Sequence, residues 1–259
     1  MPTKDIIDHV HGRIQATPVV SQPFPHLVID DFLPADHYAE LLARWPAKQR
    51  FRPNPSGQRH QLGGKPLVEE GEDDSKAFWT SVHEWAQAAN RALFAKLTPY
   101  LGAKFAPYLG PQWRDQARDL ELSDGGINLA YYTGDIFLAP HVDHAIIATN
   151  AFIYLSESDR EEPELGTVLY QSRGLMLPVN IDVTPSLARL GLKEVGVAPY
   201  RANRIFAYVN GPASFHGVSH RSIGDRERRI MMFGNLMTNA CITRVMGPEY
   251  SLSKVKGIK

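Results

Sequence analysis

Residues 137–156 read FLAPHVDHAIIATNAFIYLS, and the reading of His141-Val142-Asp143 within them decides the rest of the chain. The residues around this triplet have the pattern of β-strand. On a strand, residues i and i+2 project to the same face. His141 and Asp143 are therefore expected to converge on one point, where an imidazole and a carboxylate suit a divalent metal such as iron. An H-x-D pair alone is weak evidence, because a hydrogen-bonded pair at a strand end satisfies it equally well.

A metal face needs a third donor, close in space and carried by another strand. His216, in NGPASFHGVSH (210–220), is the preferred residue; it follows the strand pattern RIFAYVN and precedes RRIMMFGNL. His220 competes for the role, and His144 is a weaker choice. Two histidines and one carboxylate on one face leave the opposite positions open for substrate and oxygen.

Around this core, 259 residues suffice for one large domain with a substantial interior. The expected division is a helical N-terminal support over 1–105, a strand-rich core over 106–240 and a C-terminal tail over 241–259. With 28 basic and 28 acidic residues there is no basic excess, so no nucleic-acid partner is expected. The single cysteine, Cys241, excludes an intrachain disulfide and a thiolate-rich metal site, and reads as a core residue. MPTKDIIDHVHGR at the N-terminus lacks the apolar segment of a signal peptide, and no apolar run approaches membrane-spanning length. A cytoplasmic setting without a membrane partner is the expectation.

In the first region PFPHLVIDDFL (23–33) alternates like a short strand running into a turn. PADHYAELLARW predicts a helix beginning near Pro34 with Leu41, Leu42 and Trp45 on one face. SKAFWTSVHEWAQAANRALFAKLTPYL predicts a long helix whose apolar residues recur at three-to-four spacing, with Ser75 as its cap. Between them, residues 47–74 read as a long loop, basic in its first half, that suits a lid. From 106 onward GGINLAYYT, AFIYLSE, GTVLYQS, RIFAYVN and RIMMFGNLM are short strand patterns separated by turns, which predicts a sandwich or barrel. VTPSLARLGLKE reads as one helical insertion, and the basic tail as loosely packed.

These motifs, in this order, resemble the iron- and 2-oxoglutarate-dependent dioxygenases, particularly the prolyl-4-hydroxylase-like branch. The resemblance covers roughly residues 125–238, plus the segment PFPHLVIDDFLP. The family's H-x-D matches His141 and Asp143, and its distal histidine matches His216-Gly217-Val218. Its Y-x-G matches Tyr132-Thr133-Gly134, its YL strand Tyr154-Leu155, and its glycine-led strand Gly166-Thr167-Val168-Leu169. The resemblance implies a mainly β fold with supporting helices and a double-stranded β-helix core, the cupin-like jelly roll. It also implies Fe(II) held by His141, Asp143 and His216, with 2-oxoglutarate as co-substrate and O2 as oxidant.

A co-substrate carboxylate buried in the barrel needs a fixed cation, and arginine offers a bidentate one. In the family this residue opens the strand after the distal histidine. Arg228 is the choice; Arg229 has the opposite parity, and Arg226 lies further into the turn. Tyr132 and Tyr154 are expected to add phenolic hydrogen bonds, and Asn128, which shares the parity of Tyr132, to touch co-substrate or substrate. Asn235, on the last strand, is similar.

The implied function is hydroxylation of an unactivated carbon of a small molecule, amino-acid-like or a biosynthetic intermediate, with release of succinate and CO2. A protein or peptide side-chain hydroxylase is the first alternative. A cupin-like metal-binding protein without 2-oxoglutarate turnover is the second. Desaturation and epimerisation would use the same residues. There is no G-x-S-x-G elbow for serine hydrolysis and no phosphate-binding glycine loop.

Overall fold

The computed structural model describes residues 1–54, 59–69, 73–117, 120–177 and 183–248. Parts of the expected lid (55–58 and 70–72) and of the tail (249–259) lie outside the described residues. Along the chain run β1 (His26–Ile29), β2 (Arg52–Pro53), β3 (His60–Gly63), β4 (Leu122–Asp124), β5 (Asn128–Tyr132) and β6 (Asp135–His141). They are followed by β7 (Ile147–Tyr154), β8 (Glu162–Ser172), β9 (Leu192–Tyr200), β10 (Arg204–Val209), β11 (His216–Ser222) and β12 (Arg228–Met237). The larger sheet has the order β1-β10-β7-β12-β5-β3-β2, with β4 also paired to β12; the smaller is β6-β11-β8-β9. The pairings are antiparallel, so the mainly β architecture with supporting helices predicted from the sequence is the one adopted.

The large sheet is buried on both faces, which is why its strands read as nearly unbroken apolar runs. Ala130, Tyr132, Tyr154, Phe206, Tyr208 and Ile230 face inward and meet Ile136, Leu165, Leu169 and Val218 of the small sheet. Their alternates Leu129, Ile153, Leu155, Ile205, Ala207 and Met231 face outward into the main core. That outer core is closed by helices α1 (Thr3–Ala16), α2 (Ala35–Ala43), α3 (Gly64–Glu69) and α4 (Asp73–Leu97). Further helices are α5 (Gly102–Leu109), α6 (Trp113–Gln116), α7 (Pro185–Gly191) and α8 (Asn239–Val245). No helix among the described residues is long and apolar enough to cross a membrane.

Several expectations are corrected. The polar N-terminus forms α1, in which Ile6, Val10 and Ile14, four residues apart, are wholly buried. Helix α4 begins at Asp73, so Ser75 lies inside its first turn and does not cap it. Within the stretch read as a loop, β3 pairs with β5 and β2 with β3, extending the large sheet. An edge strand gains backbone hydrogen bonds without needing apolar side chains, so its pattern is faint. In VTPSLARLGLKE only Pro185–Gly191 is helical, and the rest opens β9. The tail is not loose at its start: Thr238 caps α8, and Cys241, Ile242 and Val245 are buried.

Two local constraints set the site. A Cβ on Gly217 would lie 2.6 Å from the Leu138 carbonyl oxygen, because β11 presses on β6 one residue after His216. Lys104 on α5 is buried and donates from Nζ to the carbonyls of Ala145 and Ile147, both at 2.8 Å. It thereby closes the turn that follows Asp143. Burial pushes its ammonium down to about 7, against the opposing pull of Asp143 and Cys241.

Gly217→Ala is expected to lower stability by roughly 1–3 kcal/mol, since only a backbone shift relieves the contact; chemical denaturation measures it. For Lys104 the unfolded chain holds its proton to about pH 10. Between about pH 7 and that value the unfolded state binds more protons, so this group makes stability rise with pH by up to about 1.4 kcal/mol per unit. Lys104→Met is expected to flatten that rise in denaturation curves taken at several pH values. An unchanged slope would rule out the buried ammonium as its source.

Candidate functional site

His141 ends β6 and His216 opens β11, and the two are register partners. Asp143 lies two residues past the end of β6. It therefore reaches the same point as His141 from the connection that follows the strand, and not by strand alternation as the sequence suggests. Both imidazoles are buried, and each sets its tautomer locally. Nδ1 of His141 donates to the Ala139 carbonyl at 2.9 Å, and Nδ1 of His216 donates to the Ser214 carbonyl at 2.9 Å. A carbonyl only accepts, so Nδ1 carries the hydrogen and Nε2 keeps its lone pair. Each Nε2 is 3.8 Å from Oδ1 of Asp143. The three donor atoms lie within 4.8 Å of one another.

The protonation states suit this geometry. Burial and the neighbouring His141 push the His216 imidazole down to about 4, so it is neutral at ordinary pH. Burial alone would raise the Asp143 carboxyl. Positive charge on His216 and His141 in their protonated forms, with hydrogen bonds from Tyr208 and Asn150, outweighs it and holds that carboxyl below the usual range. The set is two imidazole nitrogens and one carboxylate, the chemistry that divalent iron accepts.

The aspartate is aimed by residues that the sequence reading missed. The Tyr208 hydroxyl on β10 and the Asn150 amide on β7 (2.8 Å) both donate to Oδ2, leaving Oδ1 toward the histidines. Asn210 accepts from the Asp143 N–H at 3.2 Å and from Ser214 Oγ at 3.1 Å. Its amide donates to the carbonyls of Asp143, His144 and Ile147. Asn210 thus ties the Asp143 turn to the segment that leads into His216. The available signal was an asparagine breaking an apolar strand, in ATNAFIYL and FAYVNG, just where burial demands a partner.

Deeper in the barrel Arg228 is 2% exposed. Its guanidinium carbon lies 5.2 Å from the Tyr132 ring centre and 5.6 Å from those of Tyr154 and Tyr200. Nε donates to the Leu165 carbonyl at 2.6 Å, and no acid pairs with Arg228 among the described residues. Arg229 turns outward to Glu227, Glu157 and the Trp45 ring, and Arg226 is exposed and paired with Glu162. The Tyr154 hydroxyl is engaged by Thr167 Oγ1 at 2.7 Å, and the Tyr132 hydroxyl accepts from Arg59 at 3.4 Å. Asn128 opens β5, with its Oδ1 buried and unpartnered. The triad, Arg228, Tyr132 and Asn128 share one cavity of about 360 Å3.

The competing residues are elsewhere or otherwise engaged. His220 is exposed beside Phe137. His144 lines the cavity, but its Nδ1 accepts from the Ile146 N–H. Asn235 is held by Asn90 and Thr149 on the helix side of the sheet.

No family model matches the chain, and no curated protein matches it in sequence. Solved structures do. The epimerase SnoN in complex with Fe3+, alpha-ketoglutarate and nogalamycin RO is 14% identical, with 89% of this chain and 83% of that one covered, at a TM-score of 0.51. HygX from Streptomyces hygroscopicus, with nickel, 2-oxoglutarate and hygromycin B bound, is 15% identical over 82% and 83%, at 0.45. A prolyl-4-hydroxylase from Pseudomonas putida is 16% identical over 89% and 98%, at 0.45. Of these three, SnoN alone exceeds a TM-score of 0.5. At that identity it shows the fold, which is one that an iron- and 2-oxoglutarate-binding enzyme also adopts.

Proposed function

We propose that the chain is a non-haem Fe(II)- and 2-oxoglutarate-dependent oxygenase acting on a small molecule. One observation carries the reading. Two imidazole Nε2 atoms and a carboxylate oxygen converge in the same cavity as a buried arginine that has no acid partner among the described residues. His141, Asp143 and His216 would hold the iron. Arg228 would take the far carboxylate of 2-oxoglutarate, a buried cation meeting the charge it lacks. Bound together, iron and 2-oxoglutarate supply the activation of O2 that lets an unactivated C–H bond be oxidised, with succinate and CO2 as co-products.

The protein's own contribution is placement. Tyr208 and Asn150 saturate Oδ2 and so present Asp143 through one oxygen. The Ala139 and Ser214 carbonyls fix both imidazoles with Nε2 toward the metal position. Tyr132, Tyr154 and Tyr200 surround the Arg228 guanidinium and keep bulk water from it. A cavity of about 360 Å3 suits a small substrate beside the co-substrate, and this supports a small molecule over a protein side chain.

Anaerobic titration with Fe(II) and then 2-oxoglutarate tests the reading through the visible charge-transfer band of the chelate. The wild type should give the band, and Asp143→Ala should bind no iron. Arg228→Gln should keep the iron and weaken 2-oxoglutarate by about 10- to 100-fold, the worth of a charge-assisted contact. Iron binding without a band would remove 2-oxoglutarate from the reading, and no iron binding would end it. Tyr208→Phe and Asn150→Ala should each weaken iron by about 10- to 100-fold, as expected for partners that orient a ligand. Equilibrium dialysis against Fe(II) reads that out. His220→Ala should leave iron affinity unchanged.

A further inference from the structure

Arg59 sits one residue before β3, beside the face of β5 that lines the cavity. Its Nη1 donates to the Tyr132 hydroxyl at 3.4 Å. Its Nε is buried without a hydrogen-bond partner. At the other end of β5, Asn128 Oδ1 is also buried without a partner. A buried guanidinium N–H and a buried amide oxygen are costly to leave unsatisfied, and of the buried unpartnered side-chain atoms among the described residues these two belong to residues that line the cavity.

The charge in the cavity is unbalanced in the same sense. Among its lining residues Asp143 is the one acid, and its oxygens face His141, His216, Tyr208 and Asn150. Arg59 and Arg228 both line the cavity, and neither has an acid partner among the described residues. The proposed function uses Arg228 for one carboxylate and leaves Arg59 over. With Nη1 on Tyr132, the Nε–Nη2 edge remains, and side-on pairing along that edge suits the two oxygens of a carboxylate. Asn128 then offers an acceptor to a donor on the same molecule.

We propose that Arg59 and Asn128 form the primary-substrate subsite, and that the substrate is a small organic acid bearing an N–H or O–H group. Arg59 binds its carboxylate and Asn128 Oδ1 accepts from its amine or hydroxyl. The inference rests on the proposed function, because it assigns Arg228 to the co-substrate.

The probe is a matched pair, benzoate and benzamide, alike in shape and different in charge. Each is titrated by calorimetry into protein loaded with Ni(II) and saturating 2-oxoglutarate. Wild type is expected to bind benzoate about tenfold or more tightly than benzamide, the worth of a charge-assisted hydrogen bond. Arg59→Gln should lose that preference with benzamide unchanged, and Arg59→Lys, which keeps charge without the planar edge, should fall between. Absence of saturable benzoate binding to wild type, or a preference that survives Arg59→Gln, overturns the proposal. So does loss of 2-oxoglutarate binding in Arg59→Gln, which would assign Arg59 to the co-substrate. If wild type takes up neither Ni(II) nor 2-oxoglutarate, the proposed function fails. The same pair titrated into the unloaded protein then still decides whether Arg59 selects a carboxylate.

Discussion

The pairing of His141 with His216 across β6 and β11 is the constraint on which the site depends. A slip of one residue in either strand would turn its side chains to the opposite face. What holds the register is backbone as much as side chain. Gly217 follows His216 where the strands lie too close for a Cβ, and β11 is pinned on its other side by β8, with His216 opposite Leu169. Inward-facing Val218 and Ile136 then seal the small sheet against the large one. The register is thus fixed by close approach at one residue and by apolar burial at its neighbours, and the imidazoles inherit their separation from both.

Asp143 belongs to no strand, so it needs other means of support. Asn210 bridges its backbone to the segment before His216, and Lys104 binds the carbonyls two and four residues after it. Each of these partners is polar and buried, and each is satisfied by the turn it holds. Removing one member would leave the others without partners, so the turn behaves as one unit. Such a unit keeps the carboxylate oriented by the protein's own groups, beside a His216 imidazole that burial holds neutral at ordinary pH.

Much of this was legible in the sequence, for definable reasons. Strands β5, β7, β10 and β12 are buried on both faces, and a continuous apolar run is a strong signal. His141, Asp143 and His216 were legible because titratable residues interrupt that signal at its ends. Arg228 and Arg229 separate by parity: one lies in a cage of tyrosines, the other among surface acids. Strands β2 and β3 were not legible, since short strands near the rim of the sheet, largely of Arg, Pro, His and Gln, are stabilised by main-chain bonds that leave no mark on composition. Lys104 was not legible either. It is a lysine on a short helix, and only the fold shows that carbonyls from a distant turn converge on it.

The short strand β3 that sequence hides is also what brings Arg59 to the cavity. β3 pairs with β5 so that His60 stacks on Tyr131, with ring centres 4.9 Å apart, on the side of the sheet away from the barrel. The residue before His60 has the opposite parity and turns to the cavity side, where Tyr132 meets it. The stack on one face therefore fixes the cation on the other. The core strands β6, β11 and β12, with the turn after β6, place the triad and Arg228. The approach to β3 brings to the same cavity a second arginine without an acid partner among the described residues. The two cavity arginines are thus placed by different means, Arg228 by a buried core strand and Arg59 by main-chain pairing near the rim of the sheet.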